Sequence, residues 1–248
     1  MTLEQFRLQL KQALTGTRFE GKAWFTGGCV RDTLLERNLP LLDVDIAVEL
    51  PGGGIGLAHL LCEAYGITPS ALYPKFQTAK LVLSDILVEI AMTRQESYTE
   101  GKRFPKVQFT TLAEDAQRRD FTINALYQNI CSGKMADPCQ LGLADLSPGI
   151  IRSIRDPLVA FREDPLRMVR ALRFAATLNF PVDLSSLEAI VQNRDLVGQL
   201  SRSRLTDEIS RQKFRLDLAA MKRFAELARE TGIEQIVTKK LKSRRLFE

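Results

Sequence analysis

Histidine is nearly missing from this chain, and its scarcity excludes most imidazole chemistry at the outset. His59 is the only one in 248 residues, which removes His-rich metal sites and most His-based acid–base schemes. It reads as a helix-face residue rather than a catalyst. The four cysteines, Cys29, Cys62, Cys131 and Cys139, form no C-x-x-C pair. With no histidine partners, they read as reduced, mostly buried thiols rather than as disulfides or a zinc site. No apolar run approaches the roughly eighteen residues of a membrane span, and the N-terminus MTLEQFRLQL is charged throughout. Neither a transmembrane segment nor a secretory signal is expected, and a cytoplasmic location is. Repeats and low-complexity tracts are absent. Pro51-Gly52-Gly53-Gly54 lacks the Gly-Lys-Ser/Thr of a P-loop and the strand–turn–helix setting of a dinucleotide fingerprint, so it reads as a loop only.

What is present is an ordinary globular composition, 45% hydrophobic and 26% charged, long enough for one large domain or two small ones. Charge is unevenly placed. Residues 1–150 carry 15 Lys and Arg against 17 Asp and Glu, whereas 151–248 carry 20 against 13. A basic half can hold a phosphate backbone; charge distribution alone is better explained by solvated helix faces.

Leu3, Phe6, Leu10 and Leu14 share one helical face. A strand is predicted over 22–26, a helix over 30–36, a strand over 42–48 and a helix near 57–65. Strands follow at 79–83 and 86–92 around a tight turn at Ser84-Asp85. The polar stretch 94–105 reads as a mobile loop before a strand near 107–109, and a helix is expected to contain 118–126. Residues 133–149 are turn-rich and mark the best boundary, dividing the chain into 1–149 and 150–248. Beyond it helices are predicted over 164–178, 185–193, 203–214 and 216–231, with a basic tail at 239–245 that reads as frayed.

The most informative segment is Gly27-Gly28-Cys29-Val30-Arg31-Asp32 followed by Asp43-Val44-Asp45-Ile46. On a strand Asp43 and Asp45 project the same way, with Val44 and Ile46 turned into a core. Two adjacent carboxylates repel unless a cation lies between them, and carboxylate oxygens suit Mg²⁺ held jointly with substrate phosphates. Glu89, flanked by Val88 and Ile90 on a neighbouring strand, would make a third carboxylate; a charge on the open sheet face is the equal alternative. Gly27 and Gly28 let backbone N–H groups approach phosphate oxygens, and the following helix would offer its positive end. Arg31 would then bind the triphosphate and Asp32 would cap or orient, where a plain strand-to-helix turn is the competing reading. Asp120 and Asn124 are spaced one helical turn apart, with Arg119 or Asn124 suited to a triphosphate or ribose and a salt-bridged helix start as the alternative. Asp164-Pro165 is a sound helix start. Behind it Arg167, Arg170 and Arg173 lie opposite the apolar face Met168, Val169, Leu172, Ala175 and Ala176. Arginine rather than lysine at all three favours planar or phosphate groups over a merely solvated face. Asp164 can accept from a base amino group while Arg167 donates to ring acceptors.

Taken in order, these motifs resemble the bacterial tRNA nucleotidyltransferase (CCA-adding enzyme) and poly(A) polymerase family of the class II type. They are Gly27-Gly28-x-Val30-Arg31-Asp32, Asp43-x-Asp45, Arg118-Arg119-Asp120-Phe121-Thr122-x-Asn124-Ala125 and Glu163-Asp164-x-x-Arg167-x-x-Arg170-x-x-Arg173-Phe174, with a weaker Ser203-Arg204-Leu205-x-x-Glu208. The resemblance implies an α+β protein, a mixed-sheet, polymerase-β-like nucleotidyltransferase head followed by an all-helical neck and partial body. It implies Asp43 and Asp45 as ligands of catalytic Mg²⁺ or Mn²⁺, with Glu89 as a further catalytic carboxylate. Gly27, Gly28, Arg31, Asp32, Arg119, Asp120 and Asn124 would serve the incoming CTP or ATP. Asp164 and Arg167 would pair with its base, and Arg170 and Arg173 would support the nucleotide or the RNA end. The implied reaction is CCA addition or repair at the tRNA 3′ end, releasing pyrophosphate. A-only or poly(A) addition, or a non-catalytic RNA- or nucleotide-binding fragment, are the alternatives. Residues 98–105 match the mobile-loop position associated with terminal A addition, and Phe76-Gln77-Thr78-Ala79-Lys80 sits closer to the CCA branch. The chain stops soon after the neck, so it is expected to be a short member or fragment, or to rely on a second copy or partner subunit to complete the RNA site.

Overall fold

Strict alternation over Asp43–Val48 makes a strand with one wet and one dry side. Asp43 and Asp45 are exposed, whereas Val44 and Ile46 are buried, as their spacing predicts. The strand belongs to a computed structural model that describes residues 1–37, 39–97, 106–211, 214 and 216–242. The chain forms two units, one of Met1–Arg119 and Ile123–Leu143, the other of Asp120–Thr122 and Ala144–Glu248.

The first unit runs α1 (Leu3–Leu14), β1 (Ala23–Thr26), α2 (Gly28–Leu34), β2 (Asp43–Val48), α3 (Gly53–Tyr65), β3 (Ala71–Tyr73), β4 (Thr78–Leu83) and β5 (Ile86–Met92). It continues through β6 (Arg94–Ser97), β7 (Lys106–Phe109), α4 (Leu112–Gln117), β8 (Tyr127–Asn129) and β9 (Met135–Ala136). Seven strands form one mixed sheet in the order β3-β4-β5-β2-β1-β8-β9. Only β2 and β5 pair in parallel within it. β6 and β7 make a separate two-stranded sheet. α1 buries Leu3, Phe6, Leu10 and Leu14 on the dry side, where Phe6 stacks on Phe25 of β1 at 6.2 Å. α3 packs on β2, β4 and β5.

Four local expectations are corrected here. The glycine run is not all loop: Gly53 and Gly54 open α3 and are buried. A Cβ on Gly54 would lie 1.9 Å from the Gln77 carbonyl oxygen, and one on Gly53 would lie 2.5 Å from Val48 Cγ1. These glycines let the helix touch the sheet's backbone. The polar stretch begins with strand β6, paired to β7, while 98–105 lie outside the described residues. The helix expected over 118–126 ends at Gln117. A short 3₁₀ turn covers Thr122–Asn124 instead, so Asp120 and Asn124 share no helical face. The turn at Ser84-Asp85 is present, with φ of 53° and 63° at its two residues, the left-handed pair that a tight hairpin requires. The cysteines are half-buried rather than buried.

The second unit is helical. α5 (Gly142–Leu146) spans the division between units, and α6 (Pro157–Glu163), α7 (Leu166–Leu178), α8 (Leu184–Asn193), α9 (Arg202–Ile209), α10 (Leu218–Glu230) and α11 (Ile233–Leu241) follow. α6 was not anticipated. Asp156 caps it by accepting from the Leu158 amide at 2.9 Å, with Pro157 in its first turn. Asp164 ends α6, and its Oδ1 accepts from the Leu166 amide at 3.2 Å as α7 begins. α9 stops earlier than the predicted 214, and Lys239 and Lys240 are helical in α11, whereas 243–248 lie outside the described residues. Among the described residues, no helix is long and apolar enough to cross a membrane. The mixed-sheet head followed by helices matches the expected fold class.

Candidate active site

Sheet register brings the wet-side residues together. Asp45 of β2 stands opposite Glu89 of β5 on one side and Thr26 of β1 on the other. A cavity of about 220 Å³ opens there, lined by Asp45, Glu89, Arg94, Asp115, Arg118 and Arg119 together with Thr26 and Thr78. Thr26 is buried, and its Oγ1 makes no hydrogen bond. Gly27, with φ of +73°, adopts a backbone conformation that suits glycine. A Cβ there would come within 2.9 Å of Asp45 Oδ2, so the carboxylate lies directly against the chain. The approach seen at Gly27 is that of the Asp45 carboxylate, whereas the one expected for the Gly-Gly pair is to phosphate; a Cβ on Gly28 would meet only Arg31 Nη2, at 3.6 Å.

Glu89 is adjacent to Asp45, as its flanking residues suggested, but its carboxylate is neutralised from the other side. Lys80, its register partner on β4, bridges it at 2.7 Å, and this contact holds the Lys80 pKa above its usual value despite the cost of burial. Among the described residues, no group of three or more His, Cys, Asp or Glu side chains is arranged to hold a metal ion. Asp43 and Asp45 form a pair on one face of β2, and Glu89, the third carboxylate expected there, lines the cavity with Asp45 but is ion-paired to Lys80. That pair still fits Mg²⁺ or Mn²⁺: both supply hard oxygen donors from one strand face, and Mg²⁺ needs only one or two carboxylates when phosphates supply the rest.

The cationic wall of the cavity is built just beyond the end of α4. Arg119 Nε donates to Tyr127 Oη at 2.7 Å, and its Nη2 pairs with Asp115 Oδ2 at 3.2 Å. Burial works against the Arg119 charge, yet Tyr127, Asp115 and then Asp45 raise its pKa above the usual arginine value. Arg118 binds the same carboxylate at 2.8 Å, and the Arg94 guanidinium donates to the Phe76 carbonyl and the Thr78 hydroxyl, each at 2.9 Å.

Several residues expected at the nucleotide are engaged elsewhere. Arg31 is buried; it donates to Asp32 at 2.8 and 2.9 Å and to Asn124 Oδ1 at 2.7 Å. This triad braces α2 and lies outside the cavity lining. In the helical unit, Asp120 accepts two hydrogen bonds from Arg170, at 2.6 and 2.8 Å. Arg170 also reaches Glu208 at 3.2 Å, and Arg173 donates to Glu208 at 2.6 Å. Arg173 is thus buried rather than arrayed on a solvated face, because Glu208 supplies an internal counter-charge. Asp164 is bridged by Arg204 at 3.0 Å, and burial draws the half-buried Arg167 below the usual arginine range.

Residues 23–152, which contain Asp43, Asp45, Glu89, Arg118 and Arg119, match the family described as the poly(A) polymerase head domain. The chain belongs to this poly(A) polymerase head-domain family. It is 39% identical over 193 residues to an A-adding tRNA nucleotidyltransferase of Aquifex aeolicus (strain VF5), covering 76% of this chain and 22% of the relative. It is 35% identical over 210 residues to a CCA-adding enzyme of Anoxybacillus flavithermus (strain DSM 21510 / WK1), covering 84% of this chain and 50% of the relative. The crystal structure of a Bacillus stearothermophilus CCA-adding enzyme in complex with CTP aligns with a TM-score of 0.75 at 30% identity, over 99% of this chain and 56% of that one. A tRNA nucleotidyltransferase complexed with a primer tRNA and an incoming ATP analog aligns with a TM-score of 0.73 at 33% identity, over 87% of this chain and 59% of that one. The chain therefore spans half or less of these curated relatives.

Within this poly(A) polymerase-type head, three charged cavity residues carry no assigned role in the sequence. Arg118 belongs to the Arg118-Arg119-Asp120 motif, in which Arg119 and Asp120 alone carry an expected nucleotide role. Asp115 stands three and four positions before two arginines, a helical spacing that signals ion pairs. Arg94 carries no such signal, because its place depends on β6 pairing with β7.

Proposed function

We propose that this chain is the head and neck of a template-independent tRNA nucleotidyltransferase. It would join CMP and AMP from CTP and ATP to a tRNA 3′ end. The observation that carries this reading is the exposed Asp43–Asp45 pair on β2, with Asp45 lining the same cavity as Arg94, Arg118 and Arg119. In the reaction the RNA 3′-oxygen forms a bond to the α-phosphorus, the bond from that phosphorus to the bridging oxygen breaks, and pyrophosphate leaves. Asp43 and Asp45 would hold Mg²⁺ or Mn²⁺, and a bound divalent ion supplies charge neutralisation at the phosphate and acidifies the attacking hydroxyl. Arg118 and Arg119 offer permanent charge and N–H donors to the triphosphate. Positioning and charge stabilisation account for most of such catalysis.

In the helical unit, Asp164 and Arg167 present an acceptor and donors suited to a base edge. Arg170 and Arg173, paired with Asp120 and Glu208, support α7 instead of contacting nucleotide. The excess of Lys and Arg over residues 151–248 supports an RNA partner. The A-adding relative favours a second reading, addition of A alone.

One assay separates these readings. The protein is incubated with Mg²⁺ and tRNAs lacking one, two or all three nucleotides of the CCA end, with CTP and ATP supplied singly and together. Ordered CCA addition that disappears in Asp43→Ala is the expected result, whereas incorporation of A only on tRNA already ending in CC supports the second reading. No incorporation on any tRNA would sink both.

A further inference from the structure

We propose that Asp115 is a positioning residue that sets Arg118 and Arg119 for the phosphates of the incoming nucleoside triphosphate; the inference rests on the nucleotidyl-transfer reading above. Asp115 is 1% exposed. Every oxygen of its carboxylate is committed. Oδ1 accepts from Arg118 Nε at 2.9 Å and from the Arg94 backbone amide at 3.1 Å. Oδ2 accepts from Arg119 Nε at 3.3 Å, from Arg119 Nη2 at 3.2 Å and from Tyr127 Oη at 3.1 Å.

One buried anion thus gathers the start of β6, both arginines beyond the end of α4, and a tyrosine of β8. Arg94, Arg118 and Arg119 all line the cavity with Asp45. A buried carboxylate is costly unless paired and fully hydrogen-bonded, and these contacts meet that condition. Asp115 brings one negative charge against the two guanidinium groups it holds. Tyr127 clamps Arg119 twice, through its hydroxyl at 2.7 Å and with its ring face 5.0 Å from the guanidinium. Arg119 is therefore held along its Nε and Nη2 edge. Among the described residues its Nη1 makes no hydrogen bond, which leaves a donor for a phosphate. Holding a long side chain in its working geometry before the ligand arrives lowers the ordering cost of binding.

The test is calorimetric titration of ATP, and separately of inorganic tripolyphosphate, into the full chain with Mg²⁺. Wild type, Asp115→Asn, Arg119→Gln and the double variant are compared. The expected result is an affinity about tenfold lower in Asp115→Asn for both ligands, as for loss of one charge-assisted contact. In the Arg119→Gln background the same substitution is expected to cost less than about twofold, because residues acting through one another are not additive. A merely structural role predicts additive losses, and additive losses would overturn the proposal, as would an unchanged affinity in Asp115→Asn. Should Asp115→Asn fail to fold, Tyr127→Phe removes one hydroxyl at nearly constant volume. A loss of about threefold that vanishes in the Arg119→Gln background supports the proposal, whereas no loss overturns it. A wild-type chain that binds neither ligand fails at the nucleotidyl-transfer reading itself, an outcome distinct from wild-type binding that Asp115→Asn leaves intact.

Discussion

Glu208 shows how a single side chain can decide what its neighbours are for. It is 3% exposed and holds Arg173 at 2.6 Å and Arg170 at 3.2 Å. Burial alone would raise its pKa, but the two guanidinium groups outweigh that and hold it below the ordinary 4.5. A carboxylate depressed in the folded state contributes its full stability above the unfolded value and loses it as pH falls through the folded value. Urea unfolding followed from pH 7 down to about pH 3 should therefore show midpoints falling below pH 4.5, and Glu208→Gln should flatten that fall. The variant should also be less stable at pH 7 by about 3–5 kcal/mol, since it leaves the buried Arg173 guanidinium uncompensated, while Arg170 keeps Asp120. Burial pulls Arg173 down to about 10, so it stays charged throughout this range. None of this was legible in the Arg167-x-x-Arg170-x-x-Arg173 spacing. Three arginines on one helix face look alike until Glu208, from a later helix, claims two of them. Asp43 and Asp45 were legible because alternation on a strand is a local property that needs no partner.

Elements tell the same story in backbone terms. α1 was readable from its 3.6-residue spacing, and β4 and β5 from their apolar runs and the polar turn between them. Residues 118–126 have acceptable helical composition, so the sequence extends α4 beyond Gln117, where it ends; Arg118 and Arg119 just past that end pair back to Asp115, and Arg119 also reaches Tyr127. The glycines at the start of α3 were misread for the opposite reason, since a composition of Pro and Gly looks like loop when the true constraint is contact. Gly54→Ala should expose that constraint. Its Cβ would fall 1.9 Å from the Gln77 carbonyl, a clash with backbone that no rotamer relieves. Forced overpacking typically costs about 1–3 kcal/mol, and this position should lie at or beyond the upper end. Chemical denaturation of Gly54→Ala beside an exposed control, Gly66→Ala, checks it: the control has open space around its Cβ and bears only the strain of its φ of +64°.

At the scale of the whole molecule, the division of charge becomes a prediction about salt. An RNA partner held by the basic residues of 151–248 should be released as counterions compete, so tRNA affinity should fall at least about tenfold between 50 and 200 mM KCl. Filter binding measures this directly, and a flat response would remove the basic half from RNA recognition. Topology has a different consequence, one of timing. β2 is paired with β1, which precedes it, and with β5, which follows only after α3, β3 and β4. On a chain emerging from the ribosome, β1 and β2 can zip together once Val48 is out. The other edge of β2 stays bare until Met92 has been made, and Tyr127, which clamps Arg119, arrives later still. The acidic strand is thus assembled early and its cations late. A nascent chain stalled between the two carries mutually repelling carboxylates beside an open strand edge, the kind of template that recruits other chains. The parallel register that sets Asp45 level with Glu89 therefore makes this head dependent on prompt completion of its own synthesis.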